Sequence, residues 1–299
     1  MKRYSVFAIA KEALNYHLGW EKAWASPAPK KEYDAIIVGA GGHGLATAYY
    51  LGKNHGITNV AIIEKGWLGG GNTGRNTTII RSNYLQDSSA AIYEKARSLY
   101  ETMSQDLNYN VMFSPRGLLM LAQTHHEIRG YQRTAHANAL QGVATEWISP
   151  AKVKELVPII NIDGPRYPVL GALYQARGGT ARHDAVAWGY ARACSAMGMD
   201  IIQQCEVKGV KTENGVVKGV ETTKGFIGTK KLGIVVAGHS GQLADMAGFR
   251  LPVEAVALQA LVSEPIKPCM DVVVMANTVH GYMSQSDKGE MVIGGGTDG

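Results

Sequence analysis

The chain has 299 residues, 45% of them hydrophobic and 18% charged; that length favours two cores over one, and the composition excludes a disordered or fibrous chain. Its net charge of +5 is small and spread out, with no run of five or six basic residues, which excludes the phosphate-gripping face of a nucleic-acid binder. Cys194, Cys205 and Cys269 are odd in number and far apart, so neither a disulfide framework nor a zinc site is expected, and a reducing cytoplasm is.

Met1-Lys2-Arg3 leads into a short apolar stretch, Tyr4 to Ala10, that Lys11 and Glu12 interrupt. No small-residue cleavage site follows, so neither a secretory signal nor a membrane span is expected. Residues 1–33 read as an N-terminal extension that ends in a linker carrying Pro27 and Pro29. From Asp34 the pattern is strand (Ala35 to Val38), glycine turn, helix (Gly44 to Lys53) and a second strand (Val60 to Ile63) closing at Glu64, a βαβ unit of mononucleotide-binding length.

Ser88 to Leu107 follows as a helix, with Ile92, Ala96, Leu99 and Met103 spaced by three or four, and Gly117 to Ala122 as a strand. The helical segment His125 to Leu140 and the stretch Pro150 to Pro158 belong to a second domain. A helix runs from Ala185 to Met197, with Asp184 as its N-cap. Three β-rich runs follow, Ile201 to Val210, Val216 to Thr222 and Leu232 to Ala237, and Asn214-Gly215 between the first two is a hairpin signal. The last strand pattern, Glu290 to Ile293, precedes Gly294-Gly295-Gly296-Thr297-Asp298-Gly299, an ending that reads as unfinished.

Gly39-Ala40-Gly41-Gly42-His43-Gly44 matches G-x-G-x-x-G between a strand and a helix. Gly39 permits the tight turn, Gly41 the approach of a pyrophosphate, and Gly44 the close packing of helix on strand, while the first amides of the helix face the phosphate charge. Glu64, at the end of the second strand, suits a ribose with both hydroxyls free. The following loop, Lys65 to Arg81, is rich in glycine and hydrogen-bonding groups, which suits a cofactor needing contacts well beyond the first helix and favours FAD over a nicotinamide dinucleotide.

The fingerprint, the loop Asn72-Thr73-Gly74-Arg75-Asn76-Thr77-Thr78-Ile79-Ile80-Arg81 and the turn Ala237-Gly238-His239-Ser240 resemble the glycine/D-amino-acid oxidase family of flavoenzymes. Arg182-His183-Asp184-Ala185-Val186-Ala187-Trp188 and Leu258-Gln259-Ala260-Leu261-Val262-Ser263-Glu264 resemble, within it, the β subunits of heterotetrameric sarcosine oxidases. The resemblance implies an α/β fold with an FAD-binding, Rossmann-like βαβ domain (34–110 and 176–250) and an α+β substrate domain (111–175 and 251–299), incomplete at the C-terminus.

By the same resemblance FAD is held non-covalently by Gly39, Gly41, Gly42, His43, Gly44, Glu64, Lys65, Asn72, Thr73, Arg75, Thr77, Ile79 and Val207. FMN is attached covalently to His183 where this chain meets an α subunit, and no metal is needed. Sarcosine is oxidised at FAD and electrons pass through FMN to O2; γ and δ subunits complete the assembly, and tetrahydrofolate, bound through the α subunit, takes up the one-carbon unit. Arg81 matches the arginine that grips the substrate carboxylate, which a bidentate guanidinium does with fixed geometry, and Tyr282 lies in a segment over the flavin. The chain alone is then expected to be inactive as an oxidase.

Each assignment has a plainer counterpart: His183 a polar turn residue, Arg81 a surface arginine, Tyr282 a packed strand tyrosine. His239 reads as a turn residue, and His125, His126 and His136 as a solvated helix face. A dehydrogenase for another N-methyl or imino acid, and a non-catalytic cofactor-holding subunit, remain open alternatives.

Overall fold

The computed structural model describes residues 5–16, 18 and 22–297, so Met1-Lys2-Arg3 and Asp298-Gly299, at the two ends of the reading above, lie outside the described residues. The chain divides into two compact units, residues 1–74 with 184–255 and residues 75–183 with 256–299.

The first unit is built on four parallel strands in the order Leu232–Ile234, Ala35–Val38, Val60–Ile63, Asp200–Ile202. Every residue of Ala35–Val38 and of Val60–Ile63 is buried, as unbroken apolar runs require when both faces of a parallel sheet are covered. A second sheet has the order Glu32–Tyr33, Gly225–Thr229, Val216–Thr222, Val207–Glu213. Asn214 and Gly215 both take positive φ in its hairpin (52° and 75°), as an Asn-Gly turn should. The expected βαβ unit is therefore present, its helix running from Gly42 to His55 and ending at Gly56, which takes the left-handed cap conformation.

The second unit holds a seven-stranded sheet ordered Leu258–Pro265, Glu290–Thr297, Gly281–Gln285, Val273–Ala276, Leu118–Ala122, Gly171–Gln175, Glu146–Ile148. All neighbours are antiparallel except Val273–Ala276 against Leu118–Ala122. Helix His125–Leu140 begins in a capping box formed by Thr124 and Glu127 and packs on one face of this sheet.

Several expected boundaries move. Residues 75–110 and 176–183 group with the second unit and 251–255 with the first, where the sequence reading divided the chain at 110/111, 175/176 and 250/251. Hydrogen bonds explain the shift: Ile79–Ile80 pairs with Gly179–Thr180, the Ala181 amide donates to the Thr78 carbonyl at 3.0 Å, and the Ser82 amide to Gln175 Oε1 at 3.1 Å. Asp184 does not cap its helix. The helix starts at His183, and Asp184 sits in its first turn, its Oδ1 accepting from the Ala185 amide.

Ile201 to Val210 is two strands in two sheets, broken at Gln203-Gln204, where Gln204 takes positive φ. Leu232 to Ala237 stops at Ile234, and Ala237–His239 is a short 3₁₀ turn. Strand Gly225–Thr229, with two glycines in five residues, carries no sequence signal strong enough to show itself. Within the N-terminal extension, Val6–Leu14 forms a helix capped by Ser5.

An ion cluster around the buried Arg97 anchors the first long helix of the second unit, Asp87–Asp106. Arg97, 1% exposed, donates through Nε and Nη2 to both oxygens of Glu94 and through Nη1 to Glu101, which also binds Arg177. Glu94 in turn accepts from Ser82 Oγ, and Ser82 Oγ accepts from Gln175 Nε2. Arg97 is the main cause holding the Glu94 carboxyl below the usual carboxylate range, with Ser82 adding to it and burial opposing it. The stability that a depressed carboxylate contributes is complete above the unfolded-state pKa and is lost as pH falls through the folded-state value. Acid melts of wild type should show that loss, and Glu94→Gln should flatten it. Arg97→Met, which leaves Glu94 with Ser82 while Glu101 keeps Arg177, should cost about 1–3 kcal/mol in a denaturant titration.

Candidate functional site

In the first unit the fingerprint turn is sterically closed to side chains at two points. Gly39 has φ of +107°, and a Cβ on it would lie 2.2 Å from the Val235 carbonyl oxygen; a Cβ on Gly44 would lie 1.9 Å from the carbonyl oxygen of Gly39. Gly41 is the N-cap of the helix and makes no side-chain cap bond. A Cβ there would come 2.9 Å from Thr73 Oγ1, the atom that accepts from the Gly42 amide, also at 2.9 Å. The hydroxyl of the later loop thus binds the first amide of the helix, so Thr73 and the turn form one cradle. Gly69 closes it from the other side, its amide donating to the Ala40 carbonyl at 3.0 Å.

Glu64 ties the same parts together. Its Oε2 accepts from the Ala40 amide at 3.0 Å and its Oε1 from the Gly66 amide at 2.9 Å. An ionised carboxylate offers about four acceptor positions, so both oxygens retain capacity for ribose hydroxyls. The donor set fits an adenosine diphosphate moiety: a side-chain-free turn at a helix start, with an anchored carboxylate at the tip of the neighbouring strand.

Lys65 and His239 are exposed, and Lys65 Nζ lies 3.0 Å from His239 Nε2. Sequence reasoning gave His239 only a turn role and missed this pair, which spans 174 positions and leaves no local signal. His43, Asn72 and Arg75 are also exposed. The Val207 side chain is buried in the core with Tyr33, Ile36 and Ile63.

In the second unit Arg81 follows strand Ile79–Ile80. Its Nη1 donates to Asn83 Oδ1 at 2.9 Å, and its guanidinium lies 4.1 Å from the centre of the Tyr84 ring, which stacks on Tyr93. Asn83 is buried and its Nδ2 contacts Met120 Sδ at 3.2 Å. One guanidinium nitrogen is thereby oriented and the flat face is covered by an aromatic ring, the arrangement that leaves a fork's remaining N–H groups for a carboxylate. Burial raises the Tyr84 pKa, and Arg81 opposes the rise. Tyr84 therefore stays neutral beside the cation. Thr77, just before this strand, and Ile79, its first residue, are half-buried.

Strand register places Tyr282 on the same sheet face as this cluster. Met275 pairs with Tyr282 on one side and with Met120 on the other, and Met120 with Leu173; cross-strand partners share a face. Tyr282 and Met120 are thus two strand spacings apart, about 10 Å. The Tyr282 ring leans away from Met275 over Gly294 on the next strand, where a Cβ would meet it at 2.3 Å. His183 is half-buried at the first position of helix His183–Ala196, its Nδ1 shielded from solvent. Cradle residues and Arg81 belong to different units, and Tyr282 and His183 to that of Arg81.

A family model described as FAD dependent oxidoreductase matches residues 34–299, and the chain belongs to that family. Among curated proteins it is 79% identical over 299 residues to the sarcosine oxidase subunit beta of Rhodobacter capsulatus, covering all of this chain and 72% of that one. It is 57% identical over 279 residues to the protein of the same name from an Arthrobacter species, covering 93% of this chain and 69% of that one. Among solved structures, L-proline dehydrogenase from P. horikoshii superposes with a TM-score of 0.82 at 26% identity, over 90% of this chain and 70% of that one. The fold is that of the family, as the glycine turn and the resemblance together led one to expect.

Glu64→Ala should raise the dissociation constant for FAD at least about tenfold, because the carboxylate's bonds to two amides, and those it would make to a ribose, disappear together. Flavin-release titrations of the holoenzyme measure this. Unchanged affinity contradicts the role assigned to Glu64.

Proposed function

We propose that this protein is the FAD-bearing β subunit of a heterotetrameric sarcosine oxidase. What carries the reading is the 79% identity, over the whole of this chain, to a protein of that name; the anchored guanidinium of Arg81 supplies the matching chemistry. The overall conversion balances as sarcosine, water and O2 giving glycine, formaldehyde and hydrogen peroxide. Tetrahydrofolate, bound through the α subunit, takes up the formaldehyde unit as 5,10-methylenetetrahydrofolate. FAD, when bound, supplies the acceptor for the hydride that leaves the N-methyl carbon.

Each part of the chain has a bounded task. The cradle formed by Gly39, Gly41, Gly42, His43 and Gly44, with Asn72, Thr73, Arg75 and Thr77 from the following loop, holds the pyrophosphate by backbone amides and hydroxyls. Glu64 holds the adenosine ribose, Lys65 stands beside it, and Val207 and Ile79 border the cofactor. Arg81 holds the substrate carboxylate and so orients the bound amine. Tyr282 covers the site. No side chain is needed to remove a proton from carbon, because the hydrogen leaves with its electron pair.

His183 is the proposed attachment point of FMN. Its motif and its half-buried place at a helix start support this, since an imidazole nitrogen is a competent nucleophile toward an electron-poor flavin methyl group. The α subunit completes that site, and γ and δ subunits complete the assembly. Cys194, Cys205 and Cys269 are free thiols, which suits the reducing cytoplasm we propose; among the described residues no helix is long and apolar enough to cross a membrane.

A second reading, a dehydrogenase of another secondary amino acid, draws on the similarity to L-proline dehydrogenase; sarcosine-dependent oxygen consumption separates the two. Arg81→Lys should raise the sarcosine dissociation constant about tenfold or more in anaerobic titrations and leave FAD bound, since one charge-assisted hydrogen bond is lost. Unchanged affinity would return Arg81 to the role of a surface cation. Acid-precipitated holoenzyme should retain flavin on the peptide containing His183, and an unmodified peptide in mass spectrometry excludes the attachment.

A further inference from the structure

Helix His125–Leu140 lays Tyr131 against the same sheet face that carries Met120 and Met275. The ring is 8% exposed and packs with Leu118, Met120, Leu173 and Val273, with Ile79 at the edge of the cluster. Its hydroxyl oxygen is shielded from solvent and has no hydrogen-bond partner among the described residues. Such a group is destabilising in a folded protein, and native structures keep few of them.

The surroundings of the hydroxyl say what kind of partner it lacks. A helical side chain points back toward the helix N-terminus, so Tyr131 reaches toward Glu127, one turn earlier. The Glu127 carboxylate is already engaged by the amides of Gln123 and Thr124 and by the Thr278 hydroxyl. Burial pushes the Tyr131 pKa up to about 12, Glu127 adds to the rise and Arg81 opposes it. The phenol is thus held neutral, as a donor, within electrostatic reach of the Arg81 guanidinium. Arg81 itself meets the same face through Asn83, which contacts Met120, the methionine in the Tyr131 cluster.

We propose that Tyr131 is a substrate-binding residue whose hydroxyl donates to the carboxylate held by Arg81, an inference that rests on the reading of Arg81 above. A small amino acid then meets a cation and a neutral donor from two different elements, and its carboxylate relieves the unpartnered hydroxyl on binding. The contact also sets specificity, because an amine lacking the carboxylate leaves both Arg81 and Tyr131 unsatisfied.

Tyr131→Phe removes one oxygen and keeps the ring. Since the hydroxyl has no hydrogen-bond partner among the described residues, the variant's thermal midpoint should equal or slightly exceed that of wild type. Its dissociation constant for sarcosine, read from anaerobic bleaching of FAD in the holoenzyme, should rise about tenfold, the size expected for a hydrogen bond to a charged group. FAD content should be unchanged. A clear fall in the midpoint would show a structural bond, through a buried water for example, and overturn the proposal. Unchanged sarcosine affinity in Tyr131→Phe together with weakened affinity in Arg81→Lys overturns it too, while leaving the Arg81 reading intact. If neither variant weakens sarcosine, the carboxylate reading of Arg81 fails first and this inference with it.

Discussion

Between Gly39 and Gly44 the backbone closes on itself so tightly that no side chain fits: added Cβ atoms would stand 2.2 Å and 1.9 Å from carbonyl oxygens. The parallel sheet brings Val235 beside the tip of Ala35–Val38, its amide donating to the Val38 carbonyl, and the helix starts at Gly42, directly after the turn. Only that compression presents the first helical amides at the sheet's edge. Thr73 and Glu64 then hold the turn from two further segments, so that three separate stretches of chain share one small set of hydrogen bonds.

The second unit solves a different problem: it must hold a cation partly buried without neutralising it. In the role proposed for Arg81, direct pairing with a carboxylate would use up the charge that a substrate carboxylate would need. The structure gives it an amide oxygen and an aromatic face instead, which orient the guanidinium and leave its formal charge unmatched. Three carboxylates of this unit are directed elsewhere, Glu94 and Glu101 to Arg97 and Arg177, and Glu127 to the start of its own helix. Ser82, next in sequence to Arg81, is pinned by Glu94 and Gln175, so the ion cluster also fixes the backbone that carries the arginine.

Local patterns were readable from the sequence wherever a short stretch dictates its own geometry. The G-x-G-x-x-G turn, the two fully buried apolar strands and the Asn214-Gly215 hairpin all appear where the residues place them. Asp184 was misread as a cap because a carboxylate one position into a helix looks the same in sequence as one at its border. The boundaries near 75 and 183 were misplaced because they depend on pairing between Ile79–Ile80 and Gly179–Thr180, a hundred residues apart and two residues long. Tyr131 left no sequence signal at all: a tyrosine at helical spacing is ordinary core, and only the burial of a hydroxyl with no partner among the described residues distinguishes it.

The central claim is that an FAD held on the glycine turn of this chain takes a hydride from the N-methyl carbon of sarcosine. Stopped-flow mixing of the oxygen-free holoenzyme with sarcosine, and in parallel with sarcosine deuterated in its methyl group, tests it most directly. The account predicts that the oxidised-flavin absorbance bleaches without oxygen and that deuteration slows the bleaching. An absorbance that stays constant in saturating sarcosine, with FAD bound, would contradict it.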